Sequence, residues 1–237
     1  MEDLNKPAKN NYPNHIALIV DGNRRWARKR GLPAFEGHRR GIKAVEKVLD
    51  VAKKYGVKCV TLWVFSTENW KRSKDEVGYL FGLFRTFFDK YKKKCLKEKV
   101  RFVHIGRKDR IDLDIRKSIE ELEELTKNFT ENTIALALDY GGHDELIRTI
   151  NKLNKTGLEI TLENIEKNLD TASLPPVDLI IRTSGEQRLS GFLSWQCAYS
   201  ELYFTDKTFP EFGPNELKKA LDDFAHRERR FGGDSKS

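Results

Sequence analysis

No apolar run in this sequence approaches the roughly 18 to 20 residues needed to cross a bilayer, and no basic-then-apolar leader opens it. That excludes a spanning helix and a secretory signal, and it leads us to expect a cytoplasmic protein. Cysteine is sparse too. Cys59, Cys95 and Cys197 are scattered, odd in number and without metal-ligand spacing, so they read as reduced core thiols. Neither G-x-G-x-x-G after a strand nor G-x-x-x-x-G-K-[ST] occurs, which removes the dinucleotide and P-loop nucleotide sites. No Pro/Gly/Ser-rich stretch, internal repeat or low-complexity tract divides the 237 residues. One domain over 15–233 is therefore expected, between disordered tails at 1–14 and 234–237.

What the chain does have is positive charge. Lys plus Arg number 44 against 36 for Asp plus Glu, a net +8 that favours anionic partners such as nucleic acid, phosphate esters or anionic lipid headgroups. Charge alone does not choose among them.

Buried-strand patterns fall at 16–20, 60–65, 101–105, 133–138, 178–182 and 201–204. Between most of them lie segments with helical period. GHRRGIKAVEKVLDVAKKYG places Ile42, Val45, Val48, Leu49 and Ala52 on one face. The next helix opens on a Ser73/Glu76 capping box and carries Leu80, Phe81, Phe84, Phe87, Phe88 and Tyr91. The alternation predicts an α/β domain whose mostly parallel six-stranded sheet is surrounded by helices. In such sheets ligands bind beyond the carboxyl ends of strands. The segments there are VDGNRR, FSTENWKR, DYGGH and RTSGEQR, all polar or glycine-rich.

In DGNRRW, Gly22 permits a close backbone approach, the following residues open a helix toward an anion, and Arg24 and Arg25 supply charge-assisted bonds to phosphate oxygens. An acid there, Asp21, would repel such a ligand unless a hard cation such as Mg²⁺ lay between them. The alternative is a helix-capping Asp paired with an arginine. Ser66, Asn69, Trp70 and Arg72 follow a very apolar strand in a loop that reads either as a mobile lid or as a solvated turn. Arg182, Arg188 and Ser190 surround a glycine turn and form a second plausible diphosphate cradle, with Glu201 as a further acid nearby in sequence. Two phosphate cradles joined to an aromatic-rich channel would suit a diphosphate bearing a hydrocarbon tail.

DGNRRWA, GH, FSTENWKR, DYGG, RTSGEQRLS, ELYFTD and RERRFGG resemble, in order and spacing, the cis-prenyltransferases, the family of undecaprenyl diphosphate synthase, over about His15 to Gly233. The resemblance implies a homodimer, an apolar substrate tunnel, Mg²⁺, and condensation of isopentenyl diphosphate onto an allylic prenyl diphosphate with a new Z double bond. By position it implies Asp21 as the metal-binding acid and Gly22, Asn23, Arg24, Arg25, Trp26 and His38 as the allylic diphosphate pocket. It implies Ser66, Asn69, Trp70 and Arg72 as the catalytic loop, Arg182, Arg188 and Ser190 as the isopentenyl diphosphate site, and Glu201 as a second acid tied to the metal. Arg230 to Gly232 would reach the neighbouring subunit. Asp21, Asn69 and a phosphate oxygen all remain candidates for the proton acceptor. Peripheral membrane association through a lipid product is compatible with this reading. A basic nucleic-acid-binding module is the alternative; the resemblance implies no nucleic-acid partner.

Three departures from the family pattern stand out: Ala34 where an Arg is common, Asp139 and His143 in place of the ends of NYGGR, and Gly191 within Ser190-Gly191-Phe192. The resemblance also places Phe87 in the tunnel wall, where its ring would halt chain growth early. Simple packing of Phe87 against the sheet is the competing reading.

Overall fold

The computed structural model describes residues 11–230. Six parallel strands, β1 (His15–Ile19), β2 (Cys59–Ser66), β3 (Val100–Ile105), β4 (Asn132–Tyr140), β5 (Leu179–Arg182) and β6 (Glu201–Phe204), form one sheet in the order β3-β4-β2-β1-β5-β6. Seven α-helices accompany them: α1 (Asn23–Arg28), α2 (Ala34–Lys54), α3 (Lys74–Glu98), α4 (Leu113–Thr126), α5 (Gly142–Thr156), α6 (Leu162–Asn168) and α7 (Pro214–Ala225).

The strands read as continuous apolar runs because both faces of the sheet are covered. Alternate residues of β1 go to opposite sides: Ile16 and Leu18 join a large core with α2, α3, α4 and α7, whereas Ala17 and Ile19 join a second core with Phe192 and Leu193. The aromatic face of α3 is buried in the larger core, with Phe81, Phe84, Phe87, Phe88 and Tyr91 all nearly inaccessible. Ser73 accepts a hydrogen bond from the Glu76 backbone N–H, so the expected cap forms at the start of that helix.

Within the expected amino-terminal tail, Tyr12 and Asn14 are tied down. The Tyr12 hydroxyl donates to Asp222 at 2.7 Å, and the Asn14 carbonyl accepts from Lys58 and Cys59. Residues 1–10 and 231–237 lie outside the described residues. The expected carboxyl-terminal tail falls there, as do the last two residues of Arg230-x-Gly232, so its reach toward a partner lies outside the described residues; Arg230 itself donates to Glu228 at 2.9 Å.

β1 leads toward β2 on one side, while β5 leads to β6 on the other, so their carboxyl ends flank the point where the chain reverses its order across the sheet. A crevice opens at such a point, and Asp21 and Arg182 stand on its two sides. No helix among the described residues is long and apolar enough to cross a membrane.

Candidate functional site

The turn after β1 is held against the turn after β5. Gly22 sits in the left-handed region at φ 96°, and a Cβ there would lie 2.6 Å from the Ser184 hydroxyl, so only glycine fits without displacing the second loop. The Asp21 N–H and carbonyl bond the Thr183 hydroxyl at 3.0 and 2.7 Å, completing the seam.

This seam brings the charged groups together. One Asp21 oxygen accepts the Gly22 N–H at 2.6 Å; the other accepts Arg25 and Arg182, each at 3.1 Å. Arg182 is almost fully buried, donates to the Ser190 hydroxyl at 2.9 Å and to the Arg188 carbonyl, and leaves its Nε without a partner. Arg25 also bonds the Ser184 carbonyl and Glu186, and Glu186 in turn pairs with Arg188. α1 spans six residues only. Arginine side chains, rather than a long helix terminus, therefore provide the positive field.

Glu76 closes the other side. Besides its cap, its carboxylate meets Arg72 at 3.0 Å, Arg24 at 3.5 Å and His38 at 3.6 Å. The Ser73 cap at the start of α3 was legible in sequence, but the reciprocal half of the expected capping box does not form: the Glu76 carboxylate goes instead to partners from three separate segments. Burial, reinforced by Arg72, lowers the His38 pKa to about 4. His38 is therefore neutral at neutral pH, and its Nε2 is buried without a hydrogen bond.

That shift fixes the sign of an acid effect. Between pH 6.5 and 4 the unfolded chain takes a proton at this position that the folded chain refuses, so stability falls as the pH falls through that window. His38→Gln should flatten the slope of stability against pH there by up to about 1.4 kcal/mol per pH unit, as read from denaturant melts. An unchanged slope would contradict the burial of a neutral imidazole.

Three cavities meet at Val20, Asn23 and His38. The first, about 470 Å³, is lined by Asp21, Arg24, Arg25, Arg28, His38 and Arg72. The second, about 230 Å³, takes in Asp21, Ser66, Asn69, Arg72, Arg182 and Ser190, with Trp63 as a wall that the sequence reading missed. The third, about 60 Å³, is apolar and runs between α2 and α3 past Ile42, Val45, Leu80, Leu83 and Phe84. Gly41 of α2 makes room here, since a Cβ would lie 2.5 Å from the Asn23 side-chain oxygen. That oxygen is buried with no hydrogen-bond partner.

Most of the expected residues converge on this place, and a few do not. Gly22, Asn23, Arg24, Arg25, His38, Ser66, Asn69, Arg72, Arg182 and Ser190 line the two polar cavities together with Asp21. Arg188 lies at the rim, largely exposed beside Glu186. Trp26 is turned away under the Arg30 guanidinium, 4.6 Å from its ring centre. Trp70 packs on Phe65 and Phe81 and donates to Asp139, so it supports the loop from behind.

Glu201 requires a correction. Register pairs it with Leu179, three residues before Arg182, so it stands at the entry end of the strands, bonded to Arg227 at 2.8 Å. Within one chain it does not join Asp21 at a common metal. Of the two readings of Phe87, packing is the one the geometry favours: the ring is buried and stacked on Tyr91 at 3.9 Å, and Phe84, one turn earlier, lines the apolar cavity.

Among the described residues no group of three or more His, Cys, Asp or Glu side chains is arranged to hold a metal. The donor set fits an ion held by one half-exposed carboxylate, substrate phosphates and water, which is a usual arrangement for Mg²⁺, and does not fit an all-protein cage. The arginines converge in a concave site around one acid instead of forming an exposed basic face, which does not favour the nucleic-acid alternative.

The family model "Putative undecaprenyl diphosphate synthase" matches residues 19–232. The chain is 47% identical to an isoprenyl transferase of Fusobacterium nucleatum over 224 residues, covering 94% of this chain and 97% of that one. It is 46% identical to the isoprenyl transferase of Aquifex pyrophilus, covering 93% and 96%. Its fold resembles that of lavandulyl diphosphate synthase from Lavandula x intermedia, solved in complex with dimethylallyl diphosphate, with a TM-score of 0.88, 35% identity and coverage of 94% and 99%. A "probable undecaprenyl diphosphate synthase" from Campylobacter jejuni gives a TM-score of 0.79 at 37% identity, covering 93% and 98%. The chain belongs to the undecaprenyl diphosphate synthase family and is an enzyme of the cis-prenyltransferase class.

Proposed function

We propose that the two polar cavities hold two diphosphates, one on each side of Asp21, and that the apolar cavity receives the growing hydrocarbon. The observation that carries this reading is their meeting point: Val20, Asn23 and His38 line all three. Both polar cavities open onto the apolar one; the allylic primer is given to that of Arg24, Arg25 and His38 because the family pattern places its diphosphate on those residues. The cavity of Arg182 and Ser190 takes isopentenyl diphosphate.

Asp21, together with substrate phosphates, would hold Mg²⁺, which when bound would supply charge neutralisation for the departing diphosphate. The remaining stabilisation comes from guanidinium groups already in place: Arg25 and Arg182 are oriented by Asp21 before any ligand arrives, so little reorganisation accompanies ionisation of the primer. The new bond forms between the allylic carbon and the terminal carbon of isopentenyl diphosphate, and a proton then leaves the condensed unit. Asn69 is a poor acceptor for it. Its carboxamide is not basic, and its oxygen already accepts the Ser66 N–H at 3.2 Å. Its role in this reading is to present its amide group to a substrate, leaving Asp21 or a diphosphate oxygen to take the proton. The domain spans 15–233, and the product leaves as a Z-polyprenyl diphosphate that meets the membrane only through its own tail. A homodimer is part of the reading, with the unpaired edge of β6 available for the contact.

Titration calorimetry with inorganic diphosphate tests the metal's part. Binding should strengthen at least about tenfold when Mg²⁺ is added, as expected for an anion placed beside a carboxylate. Equal affinity with and without the ion would remove the metal from the site.

The apolar cavity sets product length. Phe84→Ala should extend the hydrocarbon path and lengthen the product, because its ring lines the cavity. Phe87→Ala should chiefly lower stability, by about 3 to 5 kcal/mol for a buried ring. Chromatographic sizing beside melting curves checks both; identical product lengths in wild type and Phe84→Ala would refute the assignment.

A further inference from the structure

β4 does not run straight into its loop. Register with β2 shifts between Phe65 and Ser66, which pair with Leu138 and Tyr140, so Asp139 is the extra residue of a bulge. Its backbone lies in the left-handed region at φ 55°, and its side chain is fully buried. Bulges re-aim a side chain, and this one sends a carboxylate beneath the loop that carries Ser66, Asn69 and Arg72.

Three donors satisfy that carboxylate. The Trp70 indole N–H donates to Oδ1 at 2.9 Å; Arg110 donates through Nε to Oδ2 at 2.9 Å and through Nη2 to Oδ1 at 2.5 Å. The Arg110 guanidinium also lies 5.9 Å over the Trp70 ring. The segment bearing Arg110 is itself stitched to the bulge, since the Arg107 N–H donates to the Asp139 carbonyl at 3.0 Å. Trp70 faces away from the cavities, while its neighbours Asn69 and Arg72 face into them.

We propose that Asp139 and Arg110 are positioning residues: together they clamp Trp70 and so hold the Asn69–Arg72 loop in its substrate-facing conformation. The acid left unexplained by the family pattern thereby acquires a task, and Arg110, on a segment between β3 and α4 remote in sequence, becomes part of the substrate loop's support. Arg110 fastens the carboxylate from the solvent side, its own side chain 38% exposed. Removing it leaves Trp70 bonded to a buried charge with no counter-ion, which favours release of the whole loop. The kinetic side of this inference rests on the diphosphate reading above; the clamp itself does not.

Limited trypsin digestion of the full-length chain reads the loop directly, because Lys71 is an exposed residue at its tip. Cleavage after Lys71 should speed up about tenfold in Arg110→Ala, following the population of the opened loop, while cleavage at sites outside the loop stays at the wild-type rate. Arg110→Lys should recover part of the protection. Asp139→Asn, which keeps an acceptor for Trp70 but removes the counter-ion of Arg110, should be intermediate. In a Trp70→Phe background, Arg110→Ala should add little, since both substitutions break the same link. The KM for the diphosphate substrates should rise in step with cleavage. Wild-type cleavage in Arg110→Ala, or full additivity with Trp70→Phe, would overturn the clamp. Normal loop release without any prenyl transfer would instead count against the proposed reaction.

Discussion

Asp21→Ala should lower turnover on the order of a hundredfold or more, a loss typical of removing one main electrostatic stabiliser. Its carboxylate is the one acid that lines both polar cavities, and it accepts from Arg25 of the first and Arg182 of the second. Two effects contribute to the loss. On the proposed reading the metal would lose its protein anchor, and Arg25 and Arg182 lose the acceptor that orients them. Asp21→Asn separates these effects, because the amide still offers one oxygen acceptor but carries no charge. We expect it to be nearly as damaging in steady-state rate while melting close to wild type. Near-normal turnover of Asp21→Asn at saturating Mg²⁺ would mean that the acid only organises the loops.

Arg182→Ala should raise the KM for isopentenyl diphosphate by roughly tenfold to a hundredfold, the range for losing one or two charge-assisted hydrogen bonds, and change the KM for the primer far less. Arg182 is nearly buried and bridges Asp21, Ser190 and the Arg188 carbonyl, so it holds the shape of the cradle as well as its charge. Arg182→Lys does not rescue it in full, because an ammonium does not reproduce that fork. Arg188→Ala should have a smaller effect, since its side chain is 61% exposed and already spent on Glu186. Steady-state kinetics with each substrate varied in turn would show the split; equal rises in both KM values would break the assignment of one diphosphate to each loop.

How far the site was legible depended on the range of the interaction involved. Strands buried on both faces declare themselves as apolar runs, and all six were found at nearly their true positions. The rule placing ligands beyond strand ends then picked out Asp21, Arg72 and Arg182 without any pairing information. Failures came where the third dimension decides. ELYF reads correctly as a strand, yet only its register shows that Glu201 sits at the far end from Asp21. Trp70 stands among cavity-lining residues in sequence, but its contact with Asp139 depends on a bulge in a strand some seventy positions away. Phe84 and Phe87 share one helical face, and only the packing of α2 against α3 distinguishes the ring that lines the cavity from the one behind it.

The most direct test is to incubate the protein with labelled isopentenyl diphosphate, a short allylic primer and Mg²⁺, then determine the length and double-bond geometry of the extracted lipid. Label should enter a polyprenyl diphosphate whose added units are all Z, and chelating the metal should stop incorporation. Products with E geometry, or undiminished incorporation without a divalent ion, would contradict a reaction run by two diphosphates meeting across Asp21.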